Sequence, residues 1–323
     1  DTDSVNEDAT ITKTGSQDDV LNDDAADTNG LVVTHIKKDG GSNSTVAGSS
    51  TYTSNGTSVT GTYGTLVIGA DGSYTYTADQ DAADALDLND VVTDVFVYTA
   101  DGATANLTIT VTGINDAPVA TNDTGSVNED ATLSVSNGSG DIIDNNDTDA
   151  DDSASLVVSA VRIGGVEDSG TAGTVGQALT GTYGQLTLNA DGSYSYVANQ
   201  DAADDLDASD QVTDVFNYTL SDGTATDTAT ITITVTGIND APVADNETGA
   251  VNEDATLTVT DGASDVLHGD TDADDSASLT VSAIRTGAEG GSGTAGSIGS
   301  GLTGSYGTLT LASDGTYTYV ADQ

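Results

Sequence analysis

Cysteine is absent, which excludes disulfides, thiol nucleophiles and thiolate metal sites. Cations are scarce: Lys and Arg total 5 against 53 Asp and Glu, a formal net charge of −48. Nucleic-acid binding needs clustered cations against phosphate, so this composition excludes it. Attachment to an anionic membrane surface fails for the same reason. No run of about 18 apolar residues occurs, so no membrane insertion is predicted. Two His leave little for imidazole zinc sites or Ser–His catalysis. Trp is missing and Phe occurs twice, which leaves aromatic packing to 12 Tyr. Only 2 Pro are present, and the apolar residues are patterned rather than scattered, which opposes disorder. The 38 Gly, set among Thr, Val and Ile, read as short strands joined by turns.

What is present is repetition. Val-Asn-Glu-Asp-Ala-Thr begins at Val5, Val127 and Val251. Gly-Thr/Ser-Tyr-Gly begins at Gly61, Gly181 and Gly304, and Asp-Gly-Ser/Thr-Tyr-x-Tyr at Asp71, Asp191 and Asp314. Gly-Ile-Asn-Asp-Ala-Pro begins at Gly113 and Gly237 and contains both prolines. Four markers in one order, spaced by about 120 residues, describe a string of autonomous domains rather than a solenoid. The predicted units are 1–117, 118–241 and 242–323, with the Pro motif as linker. The third stops just past its Tyr-x-Tyr strand. With neither an initiator Met nor a signal peptide in view, the chain reads as a section of a longer array.

Within a unit the period is two. Ala229, Ile231, Ile233 and Val235 alternate with threonines, as do Leu107, Ile109 and Val111. This places aliphatics on one face of a half-buried antiparallel strand. Ala131, Leu133 and Val135 show the same alternation at the start of the second unit. Leu186-x-Leu188, a Gly-containing turn and Tyr194-x-Tyr196 predict a hairpin. Phe216-x-Tyr218 runs to a turn at Asp222-Gly223. Asp201-Ala-Ala-Asp-Asp-Leu is the one helical hint. About seven strands per unit predict an all-β fold of two-sheet sandwiches. The Gly/Ser/Thr-rich segments 40–60, 164–180 and 287–303 differ between units and read as surface loops.

The acids cluster. Asp147, Asp149 and Asp151 alternate along one loop, followed by Asp152, and Asp270, Asp272, Asp274 and Asp275 repeat the pattern. Carboxylates crowded at one point are unfavourable unless a cation neutralises them. Oxygen ligands without nitrogen or sulfur select Ca²⁺ over zinc. The EF-hand's central Gly and terminal Glu are missing. The bland reading is a solvated acidic loop.

In their order, Val-Asn-Glu-Asp-Ala, Asp-x-Asp-x-Asp, Leu-Asp before a strand and Asn-Asp-x-Pro at the domain end resemble the motifs of cadherin domains. The form with Gly-Thr-Tyr-Gly and Asp-Gly-Ser-Tyr-x-Tyr looks like the cadherin-like VCBS repeats of giant bacterial surface adhesins. The resemblance covers nearly the whole chain. It implies tandem seven-stranded Greek-key (cadherin/Ig-like) sandwiches in an extended rod, with Ca²⁺ at each junction. Carried over by position, the first junction would use Glu7, Asp87 or Asp90, Asn115 and Asp116 of the linker, and Asp149, Asp151 and Asp222 of the second unit. The second would use Glu129, Asp207 or Asp210, Asn239, Asp240, Asp272 and Asp274. The counterpart of Asp222 would follow Gln323 and is not in the chain.

The pattern departs from the family at several places. Gly113 and Gly237 stand where the family linker has Asp, and Ala117 and Ala241 where it has Asn. The Glu of its Leu-Asp-x-Glu is missing after Leu86-Asp87 and Leu206-Asp207, so Asp90 and Asp210 are the expected substitutes. Asp23-Asp24-Ala-Ala-Asp27 replaces the alternating loop of the first unit, which predicts a weak or empty site there.

Asp123-Thr-Gly-Ser126 spells an aspartic-protease motif, but a dyad needs two such loops in contact. His35 and His268 are not matched between units and read as surface residues. The chain is therefore read as a non-enzyme. The leading reading is an extracellular, Ca²⁺-stiffened extender whose partners are calcium, further repeats and possible host-surface, matrix or filament proteins. The alternatives are a filament subunit completed by strand addition, and a glycan- or protein-binding module using the variable loops.

Overall fold

The computed structural model describes residues 1–14, 19–22, 30–262, 264–274 and 276–322. The run Asp23-Asp24-Ala-Ala-Asp27 and Asp275 lie outside them. The fold is almost entirely β, and its strands fall into three successive groups.

The first group comprises β1 (Thr2–Asn6), β2 (Thr10–Lys13), β3 (Val33–Lys38), β4 (Ser44–Thr45), β5 (Thr57–Thr60), β6 (Thr65–Ile68) and β7 (Tyr74–Thr77). The short helical turn α1 (Asp81–Asp84) follows, then β8 (Val91–Ala100) and β9 (Ala103–Thr112). One sheet has the order β1-β9-β8-β3-β4 and the other β2-β7-β6-β5. In the second sheet β5, β6 and β7 form a meander and β2 returns beside β7, a Greek-key arrangement. Both sheets contribute to one buried core, which includes Ile36, Leu66, Tyr76, Phe96 and Ile109.

The second group repeats this with β10 (Asp123–Asn128), β11 (Thr132–Val135), β12 (Val157–Ile163), β13 (Ala178–Thr180), β14 (Gln185–Leu188), β15 (Tyr194–Val197), α2 (Asp201–Asp204), β16 (Gln211–Ser221) and β17 (Thr226–Thr236). Its sheets are β10-β17-β16-β12 and β11-β15-β14-β13. The Leu186/Tyr194 hairpin and the Ala229–Val235 alternation form as predicted, with Ile231, Ile233 and Val235 fully buried.

Three features differ from the sequence expectation. The first strand of each unit is split. Its opening half, β1 or β10, pairs parallel with the last strand, Val5 opposite Val111 and Val127 opposite Val235. Its second half, β2 or β11, pairs antiparallel in the other sheet. Asp8 and Asp130 stand between the halves with φ 57° and 58°, the left-handed conformation that Asp tolerates better than most residues. Val-Asn-Glu-Asp-Ala is thus an elbow that carries the chain from one sheet to the other. Secondly, the variable Gly/Ser/Thr segments are not loops throughout: β5 and β13 lie within them and pair with the following strand. His35 is half-buried on β3 rather than at the surface.

The remaining markers converge on one buried acid. Asp94 of β8 is 1% exposed, and the 61–64 turn wraps it. Its carboxylate accepts the amides of Thr62, Tyr63 and Gly64 at 2.7, 3.0 and 3.2 Å, and the Tyr76 hydroxyl at 2.7 Å. Asp214 accepts the same set from Thr182, Tyr183, Gly184 and Tyr196. A Cβ on Gly61 would sit 2.1 Å from Asp94 Oδ2, and one on Gly64 2.5 Å from the Tyr76 ring, so both positions demand glycine. Tyr76 also meets Phe96 edge to face at 6.0 Å, joining the two sheets, as Tyr196 meets Phe216 at 6.3 Å.

The third group comprises β18 (Thr256–Val259), β19 (Ile284–Arg285), β20 (Ala295–Gly296), β21 (Gly301–Thr303), β22 (Gly307–Leu311) and β23 (Tyr317–Ala321). The sheet β18-β23-β22-β21 forms, but the chain ends before counterparts of β16 and β17. Tyr319 is accordingly half-exposed where Tyr76 and Tyr196 are buried.

Removing the buried acid strands its donors. Asp214→Ala leaves three amides and a hydroxyl without their acceptor, and buried unsatisfied donors cost about 1–3 kcal/mol each. The urea midpoint of the second unit is expected to fall by the equivalent of at least about 3 kcal/mol, while Asp227→Ala on β17 shifts it much less.

Candidate metal centre at the unit junctions

The linker between the first two groups runs from Gly113 to Pro118, and acids reach it from three directions. Glu7 closes the elbow. Its amide donates to Thr112 O at 3.0 Å, continuing the β1–β9 ladder, and its carboxylate accepts the Ile114 amide. The residue is 1% exposed, and its Oε2 is buried without a hydrogen-bond partner. Asp116 donates its amide to Asp151 Oδ2 at 3.2 Å. Asp151 in turn donates its amide to Asp149 Oδ1 at 3.0 Å. Asp149 Oδ2 and Asp151 Oδ1 are also buried and unpartnered. Carboxylate oxygens of Glu7, Asp116 and Asp151 lie within 4.8 Å of one another.

Asn115 donates through Nδ2 to Asp222 Oδ2 at 2.9 Å, so the linker reaches the turn between β16 and β17. Asp222 also accepts the amides of Thr224 and Ala225. Asp87 is half-buried and clasps Ser153 of the second group, accepting its amide at 3.0 Å and its hydroxyl. Asp90 is exposed, and its backbone closes a turn with Asp87 and Gly113. The structure therefore gathers Glu7, Asp116, Asp149 and Asp151. It sets Asn115 and Asp222 beside them, uses Asp87 as a clasp and leaves Asp90 outside.

The second junction repeats the hydrogen bonds of the glutamate, the linker and the acidic loop. Glu129 is 1% exposed, accepts the Ile238 amide at 2.5 Å and has an orphan Oε2. Asp240 donates its amide to Asp274 Oδ2 at 3.3 Å, and Asp274 to Asp272 Oδ1 at 3.2 Å. Asp207 clasps Ser276 through its amide at 3.1 Å and its hydroxyl. Asn239 turns its amide to Asp240 O, and Asp210 is exposed with its backbone in the linker turn. Asp123 of the protease-like motif is tied up inside its own unit by Asn145 and Tyr218 at 3.0 Å each, and the same Tyr218 hydroxyl meets Asp147 at 3.2 Å.

Electrostatics distinguishes the gathered acids from the clasps. Burial pushes Glu7 up to about 7, opposed by its bond from Ile114 and reinforced by Asp116, Asp151 and Asp8. Burial followed by neighbouring carboxylates also raises Asp116, and burial is the main cause raising Asp149, Asp151, Glu129 and Asp274. The two serine bonds hold Asp87 below the usual carboxylate range. Burial also acts to raise Asp222, but the Thr224 and Ala225 amides and Asn115 outweigh it. Buried oxygens that lack donors and repel one another form the donor set of a hard cation. No ring nitrogen or sulfur is involved, so the residues fit Ca²⁺.

Sequence reasoning missed the serine clasps. It also missed Asp8 and Asp84, whose charges raise Asp116 after burial. Their signal was present: Asp-Ala-Ala-Asp recurs at 81–84 and 201–204, although it reads as a helix start alone.

An all-β chain of sandwich units with acidic junctions is the architecture of cadherin-type repeats. The chain belongs to the bacterial cadherin-like domain family, whose sequence model matches residues 115–237 and 239–323. The crystal structure of human CDH23 EC21-23 is similar over 92% of this chain and 88% of its own, at 14% identity and TM-score 0.43. Mouse clustered PcdhgC3 EC1-3 is similar over 99% and 88%, at 14% identity and TM-score 0.38. The protocadherin GammaB4 extracellular domain is similar over 99% of this chain and 42% of its own, at 12% identity and TM-score 0.43. A search of curated protein sequences returns no match.

The raised carboxylates fix the sign of a pH effect. An acid whose pKa is higher folded than unfolded adds stability that is complete below about 4.5 and lost as pH rises towards about 7. Asp87 and Asp222, which are lowered, act oppositely, but below 3.8. In chelator, the melting temperature is expected to fall between about pH 5 and pH 8, and saturating Ca²⁺ is expected to abolish the fall. Glu7→Gln should flatten the chelator curve and reduce the gain from Ca²⁺. Scanning calorimetry across pH checks both.

Proposed function

We propose that the chain is a calcium-stiffened extender segment of a bacterial extracellular adhesin, built from cadherin-like VCBS repeats with unit boundaries near 117 and 241. The observation that carries this reading is the convergence of Glu7, Asp116 and Asp151 from one unit, the linker and the next unit. A cation held there bridges all three and fixes their relative orientation. Without it, like charges meet at the linker. Family membership supports a structural or adhesion role over catalysis. Among the described residues no helix is long and apolar enough to cross a membrane. The ligands assigned to the first junction are Glu7, Asn115, Asp116, Asp149, Asp151 and Asp222. Those of the second are Glu129, Asn239, Asp240, Asp272 and Asp274. Asp87 and Asp207 lock the units from the side.

Small-angle scattering with Ca²⁺ and then with chelator tests the reading. The maximum dimension is expected to be well defined with Ca²⁺, and the distance distribution to broaden without it. An identical distribution in both conditions refutes the stiffening. Ca²⁺ at a hundredfold excess over its Kd should add roughly 2.7 kcal/mol to the stability of the units that bind it. Mg²⁺, which dehydrates reluctantly and demands a tighter octahedron, should add much less. Equal shifts with both ions would point to screening of the −48 charge instead.

A further inference from the structure

The strand that carries the interior acid is held at three points. In Asp94-Val-Phe96-Val-Tyr98 and Asp214-Val-Phe216-Asn-Tyr218 the Asp, Phe and Tyr are all buried. The Asp takes the amides of the Gly-x-Tyr-Gly turn and the hydroxyl of a tyrosine beside it. The Phe meets the ring of that tyrosine edge to face. The Tyr reaches acids near the start of its unit: the Tyr98 hydroxyl lies 2.9 Å from Asp1, and that of Tyr218 lies 3.0 Å from Asp123 and 3.2 Å from Asp147.

The third unit has all three receiving points, and among the described residues no strand enters them. Gly304 donates its amide to Gly307 O at 2.8 Å, closing the turn as Gly61 and Gly181 close theirs at 2.7 Å. Gly307 stands against the Tyr319 ring as Gly64 and Gly184 stand against Tyr76 and Tyr196. Yet a Cβ on Gly304 would meet nothing closer than Gly307 O at 3.6 Å, where one on Gly61 or Gly181 meets a carboxylate. Tyr306 of this turn is 82% exposed. At the third point Glu247 occupies the place of Asp123 in the repeat, and Asp270 that of Asp147. Their carboxylate oxygens lie within 4.8 Å of one another and of Asp245, and Glu247 Oε1 is buried without a partner.

The backbone leaves the matching space. In the second unit β17 and β16 lie between β10 and β12. In the third, residues 247–252, the counterpart of β10, form no strand, and along 280–286, the counterpart of β12, only β19 forms. The opening thus corresponds to two neighbouring strands of one sheet. Beside it lies a cavity of about 700 Å³ lined by Leu257, Leu309, Tyr317, Tyr319 and Ala321. The corresponding Leu186, Tyr194, Tyr196 and Ala198 of the second unit are buried.

We propose that the third unit is a receptor for a β-hairpin donated by a separate chain. The first strand of that hairpin carries Asp-x-Phe-x-Tyr and lies beside residues 280–286. Its second strand alternates aliphatics, as Ala229, Ile231, Ile233 and Val235 do, and lies beside residues 247–252. The Asp takes the amides of 305–307 and the Tyr319 hydroxyl, the Phe meets the Tyr319 ring, and the Tyr donates to Glu247. Open strand edges accept an added strand through main-chain bonds, and pockets for alternate residues give the selectivity. A second copy of this chain is a poor source. Its two hairpins of this pattern, β8–β9 and β16–β17, already fill their own units, and withdrawing one would expose Phe96 and Ile109 or Phe216 and Ile231. The occupant is a partner chain whose hairpin is unengaged. This goes beyond the extender reading, in which the third unit only adds length.

The probe is a labelled peptide of residues 210–237, titrated against the full 323-residue chain by fluorescence anisotropy. Saturable binding is expected, with new hydrogen-exchange protection of the amides at 305–307. The Asp214→Asn peptide should bind about tenfold or more weakly, because a charged acceptor of several buried donors is lost. Thr232→Ser, on the opposite face of the strand, should leave binding unchanged. In the chain, Tyr319→Phe should weaken the unaltered peptide and not the Asp214→Asn peptide. Glu247→Ala should be coupled in the same way to Tyr218→Phe in the peptide. Circular dichroism verifies that both chain variants fold. An unlabelled peptide of residues 90–113, which carries Asp94, Phe96 and Tyr98, should compete for the same place. Failure of both peptides to bind overturns the proposal, as does equal binding by the Asp214→Asn peptide. Self-association of the chain in sedimentation that neither peptide suppresses assigns the opening to a second copy and overturns the separate donor.

Discussion

Glu7 and Glu129 are buried acids with one oxygen satisfied by a backbone amide and the other by nothing. A buried polar atom without a partner is costly, and a buried charge more so. Each glutamate is held in place because it belongs to the elbow that carries the first strand between sheets. Moving it out of the junction would break the parallel ladder with the last strand, which its own amide continues. The linker, the acidic loop and the elbow's own aspartate then crowd that fixed point, and the first two bring carboxylates with the same problem.

The chain cannot solve it internally. With 5 cationic residues against 53 acids, counter-charges are not available from side chains. Among the described residues the one ion pair is Lys13 with Asp3 at 2.8 Å, remote from the junctions in its own unit. Neutralisation has to come from protons or from metal ions. Below neutral pH the proton can serve; above it, a divalent cation is the remaining source. That competition sets the pH dependence expected of the junction carboxylates.

The interior acids show the contrast. Asp94 and Asp214 are as deeply buried as Glu7, yet each carboxylate accepts three amides and a tyrosine hydroxyl. Such a carboxylate needs no cation and serves as a clamp between the two sheets. The difference between the satisfied interior acids and the unsatisfied junction acids therefore follows donor supply rather than burial. It also explains why the chain keeps so many glycines beside tyrosines: only a turn without side chains at Gly61 and Gly64 lets amides approach the acid so closely.

Much was legible in the residues alone. Period-two alternation over Leu107–Val111 and Ala229–Val235 determined strands and their buried faces, because a pleated strand shows its sides in turn. The repeated markers determined the tandem organisation, and the lack of Cys and the two His confined metal chemistry to oxygen ligands. Local pattern also singled out Asp149 and Asp151, since alternating Asp in a loop is a local property, and the resemblance to the cadherin motifs added Glu7 and Asp116. Tertiary structure alone decided the rest. It showed that Val5-Asn-Glu-Asp-Ala is a switch between sheets, because a strand that changes partners looks the same in sequence as one that does not. Asp94 was hidden among 53 acids, because its donors come from a turn some thirty positions away. Asp87 and Asp90 lie within one acidic stretch, and only the bonds of Asp87 to Ser153 across the junction set it apart from its exposed neighbour. Which carboxylate faces another is a matter of distance across the fold, and distance across the fold is what a linear sequence does not contain.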